Sequence, residues 1–521
     1  MPSTIKIGSR GSDLALWQAN HVKRLIENLG HQVSIEIIKT QGDQIQNLSF
    51  DKLEGKGFFT KEIEEKLLDG SIDLAVHSHK DLETNPPKSL VIGAVSEREN
   101  PAELLIIRKE AANIKERFSL KKNSIVGTSS ARRKAQLWSF RKDVTINDLR
   151  GNVPTRINKL REKQYDAIIL AAAGVERLEI DLSEFHVVEL DPKKFIPPPA
   201  QGVLGLQARE HDDTVLSILQ KINNQDVEEI IKIERKVLNL FDGGCQLPLG
   251  VYCLKENNTF KVWASLAKTV DHPIKRVYLE SKSKLGLSEK IVELLQKKQS
   301  QNVFITRKIG KSDLFGQLLD NNGFSVFSDS LIRFEQVNFD PLISQKFDWI
   351  FFSSKNSVRF FFEQQPLLSE KVKFACIGAA TRTELNQYSH QADFVGSGNN
   401  THEIAELFKQ VINTDTVLFP QSDISLRTIQ QLLTDGQATN LNVYRTTEAS
   451  DVELPKDLDI VIFTSPSNVR SYFHLQKEQK SLKYIAIGES TGKELKKLGI
   501  NDYLLPWDSS LLALADTIMS L

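Results

Sequence analysis

A chain of 521 residues is too long for one hydrophobic core and predicts several domains. Its 67 Lys and Arg residues balance 67 Asp and Glu, which excludes an overall charge bias towards nucleic acid or a membrane surface. Any anion site must therefore be a local cluster. No stretch reaches the roughly eighteen apolar residues of a membrane span. The three cysteines, Cys245, Cys253 and Cys376, make no disulfide framework and lack zinc-ligand spacing. The N-terminus runs straight into a strand-like segment, so no cleaved signal is expected and the cytoplasm is the expected compartment.

Strand and helix patterns alternate from the start. "TIKIG" reads as a buried strand, "DLALWQANHVKRLIENLG" as an amphipathic helix closed by Gly30, and "VSIEIIKT" as a strand. A helix at 60–69 and the strand "IDLAVHS" follow, in the grammar of a mainly parallel sheet. The pattern resumes with "NSIVGTSS", "VTINDLRG" and "YDAIILAAAGVERL". Two α/β lobes fit residues 1–98 and 99–197, and "VLGLQAR", after the crossover "FIPPPAQG", is expected to return to the first. Residues 222–298 read as a small α+β domain. From about 300 a second α/β system begins. "DWIFFSSKNSVRFFF" (348–362) and "DIVIFTSPSNVRSYF" (459–473) form an internal near-repeat, as do "FACIGAATRTEL" (374–385) and "YIAIGESTGKEL" (484–495). Duplicated βαβ units predict two similar lobes with a cleft between them.

Chemistry concentrates at strand ends, where helix N-termini offer N–H groups to anions. "GSRGS" (8–12), "GTSSARRK" (127–134) and "DLRGNVPTR" (148–156) are such ends. Arg132 and Arg133 fall in a first helical turn, where cations oppose the helix dipole. That placement predicts an anion bound between them. With Arg150 and Arg156 nearby, a ligand bearing several carboxylates is implied, since guanidinium groups take carboxylates in bidentate fashion. "AVHSHKDLET" (75–84) admits a metal site on His77 and His79, but no third ligand is evident, so no metal is expected and the histidines read as structural. Cys245, between two glycines and a proline, reads as an accessible thiol, a nucleophile or an attachment point. Cys253 and Cys376, inside strand-like runs, read as small core hydrophobes.

Taken together, "GSRGSDLALWQA", "GKGFFTKEIE", "AVHSHKDL", "GTSSARRKAQL", "LRGNVPTRINKL", "YDAIILAAAGVERL", "PPPAQGVLGLQAR" and "GGCQLPLG" resemble, in order, the porphobilinogen deaminase (hydroxymethylbilane synthase) family over residues 5 to about 298. The resemblance implies a two-lobed, periplasmic-binding-protein-like α/β fold with a small α+β third domain. The implied domains are 1–98 with 198–221, then 99–197, then 222–298. It implies a dipyrromethane cofactor joined by a thioether to Cys245, and condensation of four porphobilinogen molecules into hydroxymethylbilane with loss of ammonia. Asp81 matches the family's catalytic aspartate, which would stabilise a cationic azafulvene and assist proton transfers. Lys80, Ser129, Arg132 and Arg133 would join Cys245 and Asp81 around the cofactor. Arg10, Ser12, Lys56, Thr128, Ser130, Arg150, Arg156 and Arg177 would bind substrate carboxylates. His79 and Glu83 depart from the family pattern, and "GKGFFTKE" (55–62) would be a mobile loop near the site.

Residues 300–521 resemble, by pattern, the uroporphyrinogen-III synthase family: two α/β lobes, here 300–333 with 447–521 and 334–446, joined by a two-stranded connector at "SLIRFE" and "LNVYRTT". The resemblance implies cyclisation of hydroxymethylbilane to uroporphyrinogen III with inversion of the last ring and loss of water. Ser353, Ser354, Thr381, Ser465 and Thr491 occupy strand ends that would hold substrate, and Tyr444 matches a tyrosine that would assist loss of the hydroxyl. The expectation is a bifunctional, monomeric enzyme acting on small molecules, without nucleic-acid or membrane partners. Two alternatives stay open: a two-lobed anion-binding protein without catalysis, and an active deaminase with a non-catalytic C-terminal partner or regulatory module.

Overall fold

A computed structural model describes residues 4–40, 60–83, 87–242, 246–310, 313–397, 401–425, 427–449 and 451–521. Lys56 and Cys245, and residues 55–59 of the expected loop, lie outside the described residues. The chain divides into two compact units, Met1–Val303 with Ile309–Val326 and Leu504–Leu521, and Phe304–Lys308 with Phe327–Tyr503.

Among the described residues the first unit contains two five-stranded sheets and one of three strands. In the first sheet Ile5–Ser9 pairs in parallel with Val33–Ile37 and Leu74–Ser78. Leu204–Arg209 inserts antiparallel between Leu74–Ser78 and Leu90–Val95. The apolar stripes of helices Asp13–Glu27 and Asp213–Ile222 close over this sheet through Val22, Ile26, Ile218 and Leu219. The second sheet runs in the order Thr145–Asn147, Ile125–Gly127, Ala167–Ala171, Glu103–Arg108, Phe185–Leu190. Glu103–Arg108 is antiparallel to both neighbours. Each sheet is therefore mixed rather than mainly parallel, because one strand of each is laid down as the chain crosses between the lobes.

The third domain is an antiparallel meander, Leu249–Glu256, Thr259–Leu266 and Lys275–Ser281. Helices Gln225–Leu240 and Leu287–Gln296 bury its apolar face in a core that includes Val251, Cys253, Val262 and Ile291. Glu234, fully buried, ties this domain to the crossover: it accepts from Arg98 Nη1, Ala200 N and Cys253 N, each at 2.7 Å. A buried carboxylate needs such donors, and three of them satisfy it.

In the second unit a six-stranded sheet runs in the order Ile332–Gln336, Ala438–Glu448, Val417–Ser422, Trp349–Phe352, Lys373–Cys376, Phe394–Val395. Its first pair, the two connector segments, is antiparallel, with Gln336 opposite Tyr444. The near-repeat is a repeat in structure. Trp349–Phe352 pairs in parallel with Lys373–Cys376, and Ile460–Phe463 pairs the same way with Lys483–Ala486. Ser354 and Ser465 cap the helices that follow the first strand of each pair. Gly378 and Gly488, in extended backbone, stand at the N-caps after the second.

Candidate active site

The strand Leu74–Ser78 ends in a single 3-10 turn, His79–Asp81, which presents the exposed carboxylate of Asp81. Beside it Lys80 Nζ donates to Gln201 Oε1 at 3.0 Å. Burial pushes the Lys80 ammonium below its usual range against the pull of Asp81, and the Arg133 and Arg132 charges push the same way. Across from this turn, "GTSS" ends the strand Ile125–Gly127, and Ser130 caps the helix Ala131–Phe140 by accepting from Arg133 N at 3.5 Å. Thr128 Oγ1 accepts from Ser130 N at 3.4 Å. Ser129 Oγ donates to the Leu149 carbonyl and accepts from Leu149 N, both at 3.0 Å, which binds this loop to the next strand end.

Arg132 and Arg133 are buried, and their anion belongs to the chain itself. Glu103, fully buried at the head of its strand, takes Arg133 Nε at 3.0 Å, Arg133 Nη2 at 2.6 Å and Arg132 Nη2. Backbone carbonyls take the rest: Arg132 Nη1 donates to Ile196 and Arg133 Nη1 to Ile169, each at 2.9 Å. The first-turn cations that predicted a bound anion are thus already compensated by a carboxylate about thirty residues away in sequence. Burial would raise the Glu103 carboxyl, but the Arg133 and Arg132 charges overrule it and hold it down to about 2. The sequence pattern did not single out Glu103 or Gln201; a carboxylate opening the apolar run "ELLII" was the available signal.

Arg156 Nε donates to the Gly151 carbonyl at 2.7 Å. Burial, with Arg133 and Arg150 beside it, pushes Arg156 down to about 10, against the attraction of Asp81. Lys80, Arg132, Arg133, Arg150 and Arg156 thus share one electrostatic neighbourhood with the carboxylates Asp81 and Glu103. Positive charge is in excess there. Arg10 lies near His77 and adds to its depressed protonation. Ser12 caps the helix Asp13–Glu27 through Ala15 N at 3.4 Å. Arg177 is held elsewhere: Nε donates to Glu99 at 2.6 Å, Nη2 to the Gly202 carbonyl at 3.2 Å, and its guanidinium lies over the Trp17 ring. His77 and His79 are buried, and burial pushes both down to about 4, so each is neutral at pH 7. Cys253 and Cys376 are buried free thiols.

In the second unit Tyr444 is buried on the long connector strand, with its hydroxyl 3.4 Å from Ser354 Oγ. Its ring stacks on Phe360 and meets Phe334 edge-on. Burial pushes the phenol above its usual range. Ser353 precedes the Ser354 cap. Ser465 accepts from Asn468 N at 3.2 Å, and Thr381 and Thr491 are buried in the first turns after Gly378 and Gly488. The structure joins Tyr444 to Ser354, and in the second repeat Ser465 and Thr491 stand where Ser354 and Thr381 stand in the first.

Two family models match: "Porphobilinogen deaminase, dipyromethane cofactor binding domain" over residues 5–217, and "Uroporphyrinogen-III synthase HemD" over residues 313–515. The chain is 43% identical over 261 residues to a porphobilinogen deaminase of a Nitratiruptor species, covering 50% of this chain and 82% of that one. It is 39% identical over 293 residues to a probable porphobilinogen deaminase of Methanocaldococcus jannaschii, covering 56% of this chain and 97% of that one. Among solved structures, a uroporphyrinogen-III synthetase from Helicobacter pylori 26695 aligns at 20% identity and a TM-score of 0.32, covering 41% of this chain and 96% of that one.

Proposed function

Because the chain belongs to the porphobilinogen deaminase family and carries a uroporphyrinogen-III synthase domain behind it, we propose that Asp81 and Tyr444 are the groups through which its two activities act. The protein condenses four porphobilinogen molecules into hydroxymethylbilane with loss of ammonia, then cyclises that product to uroporphyrinogen III with loss of water. Its cofactor is dipyrromethane, and Cys245 is the thiol for the thioether.

The observation that carries the residue assignment is the surplus of guanidinium and ammonium groups around one exposed carboxylate, Asp81. Such a donor set suits pyrroles that carry carboxylate side chains. Lys80, Ser129, Arg132 and Arg133 would hold the dipyrromethane, the two arginines through guanidinium N–H groups beyond those given to Glu103 and the backbone carbonyls, and the cofactor would supply the pyrrole carbon that the first substrate is joined to. Arg10, Ser12, Lys56, Thr128, Ser130, Arg150 and Arg156 would receive substrate carboxylates, in bidentate fashion where guanidinium groups are offered, and Arg177 would do so only by exchanging its bond to Glu99. Loss of ammonia leaves a cationic pyrrole. Asp81 would accept a hydrogen bond from its N–H, balance the positive charge, and take and return protons. Glu103 does none of this; with two guanidinium groups on it, it is a fixed counter-charge. In the second site the Tyr444 phenol, pushed upward by burial, would donate to the departing hydroxyl, and Ser353, Ser354, Thr381, Ser465 and Thr491 would hold substrate. The same reading has the chain working as a monomer in the cytoplasm, where its buried thiols stay reduced.

The test is porphyrin-isomer analysis of the full chain supplied with porphobilinogen. The unsubstituted protein is expected to form mainly the type III isomer. Asp81→Ala should slow porphobilinogen consumption by about a hundredfold or more. Tyr444→Phe should leave that consumption intact and move product towards type I. Predominantly type I product from the unsubstituted chain would refute the second activity, and near-normal turnover by Asp81→Ala would refute the role of Asp81.

A further inference from the structure

The last residues of the chain, Leu504–Leu521, belong to the first unit. The helix Leu511–Met519 lies against the strand Lys275–Ser281 of the third domain and buries Leu514, Ile518 and Met519 completely. Asp516 and Arg276, both fully buried, form a two-point pair, 2.6 Å from Nε to Oδ1 and 3.0 Å from Nη2 to Oδ2. Trp507 Nε1 donates to Asp516 Oδ2 at 3.1 Å, and its ring stands edge-on to Trp263 at 5.7 Å. Tyr278 N donates to Ser520 Oγ and Lys297 Nζ to the Leu521 carbonyl, both at 2.8 Å.

A desolvated ion pair of this kind persists only where its remaining donors are satisfied. Arg276 meets that demand on the crossover segment: Nη1 donates to the Lys194 carbonyl at 2.7 Å and Nη2 to the Lys193 carbonyl at 2.9 Å. Two residues on, Ile196 packs in one apolar cluster with Trp263 and Trp507. The Ile196 carbonyl accepts from Arg132 Nη1 at 2.9 Å and from Gln136 Nε2 at 2.8 Å. Arg132 in turn shares Glu103 with Arg133. Packed and hydrogen-bonded groups therefore run without a break from the C-terminal helix to the arginines beside Asp81.

We propose that residues 504–521 are a positioning element of the deaminase site, with Asp516 acting through Arg276 and Trp507 through Ile196 to hold the 193–196 backbone on which Arg132 rests. The inference depends on the reading of Arg132 as a pyrrole-carboxylate ligand. It means that the end of the chain, which the synthase-like pattern claims, also serves the other activity.

The test uses the full-length, cofactor-loaded protein carrying Asp516→Asn or Trp507→Leu. KM for porphobilinogen in the deaminase reaction is expected to rise about threefold or more in each, with a smaller change in kcat. In an Arg132→Lys background the Trp507→Leu effect on KM should largely disappear, because the path ends at that guanidinium. A purely structural role would lower the thermal midpoint and leave KM unchanged, and that result overturns the proposal. If Asp516→Asn does not fold, the partly exposed Trp507 decides alone: unchanged KM, or effects additive with Arg132→Lys, rejects the inference. Failure of the underlying reading is distinguishable, since the unsubstituted chain would then consume no porphobilinogen, or Arg132→Lys alone would leave KM unchanged.

Discussion

At the scale of the residue, Glu103 decides how the arginine cluster is built. Two adjacent guanidinium groups buried without a counter-charge would each cost several kcal/mol, and one carboxylate with both oxygens engaged offsets them. Glu103→Gln keeps the shape and removes the charge, so it should destabilise the first unit by about 3–5 kcal/mol, seen as a lower urea midpoint. A change below about 1 kcal/mol would show that the arginines find other partners. The strand-end position of Asp81 was legible from its motif, because the run "IDLAVHS" before it reads as a strand. Glu103 was not, since its partners lie 29 and 30 residues away and meet it only after the second sheet forms.

Among the elements, the two repeats of the second unit invite comparison. Ser354 and Ser465 each cap a helix that follows a buried strand, and their recurrence was visible in "SSKNSVR" and "TSPSNVR". What differs is the third residue of each cap. Ser357 Oγ accepts in return from Ser354 N at 3.2 Å. Asn468 instead donates Nδ2 to Ser465 Oγ at 3.0 Å and accepts Leu331 N at 3.1 Å, bridging the helix to the start of the connector. Ser465→Ala should cost about 1 kcal/mol, the usual loss of an N-cap. Asn468→Ala should cost more, about 1–3 kcal/mol, because it also strands the buried Leu331 N–H. Thermal midpoints of the two variants check the order, and a larger loss for Ser465→Ala would contradict it. The sequence showed the repeat and concealed the bridge, whose partner is 137 residues distant.

For the molecule as a whole, the buried histidines set how it meets acid. His77 and His79 sit at about 4 against an ordinary 6.5, so between those values the unfolded chain binds protons that the folded chain refuses. Stability therefore falls as pH drops through that window, by about 2 kcal/mol per histidine at pH 5. Glu103, depressed to about 2, adds a further loss only below its ordinary 4.5. Urea midpoints between pH 7 and pH 5 should decline, and His79→Leu should flatten that decline. Parallel curves for the two proteins would show that His79 is not the source.

The sequence alone determined the two α/β systems, the strand-end motifs, the duplicated unit of the second half and the family of each, because these rest on local periodicity and on side chains that the chemistry demands in place. Only the tertiary structure decided which charges are paired: Glu103 with Arg132 and Arg133, Glu234 with Arg98, Asp516 with Arg276. A charged residue in a sequence reads equally well as a solvated surface group. Burial removes its water, and a partner from anywhere in the chain must then replace it.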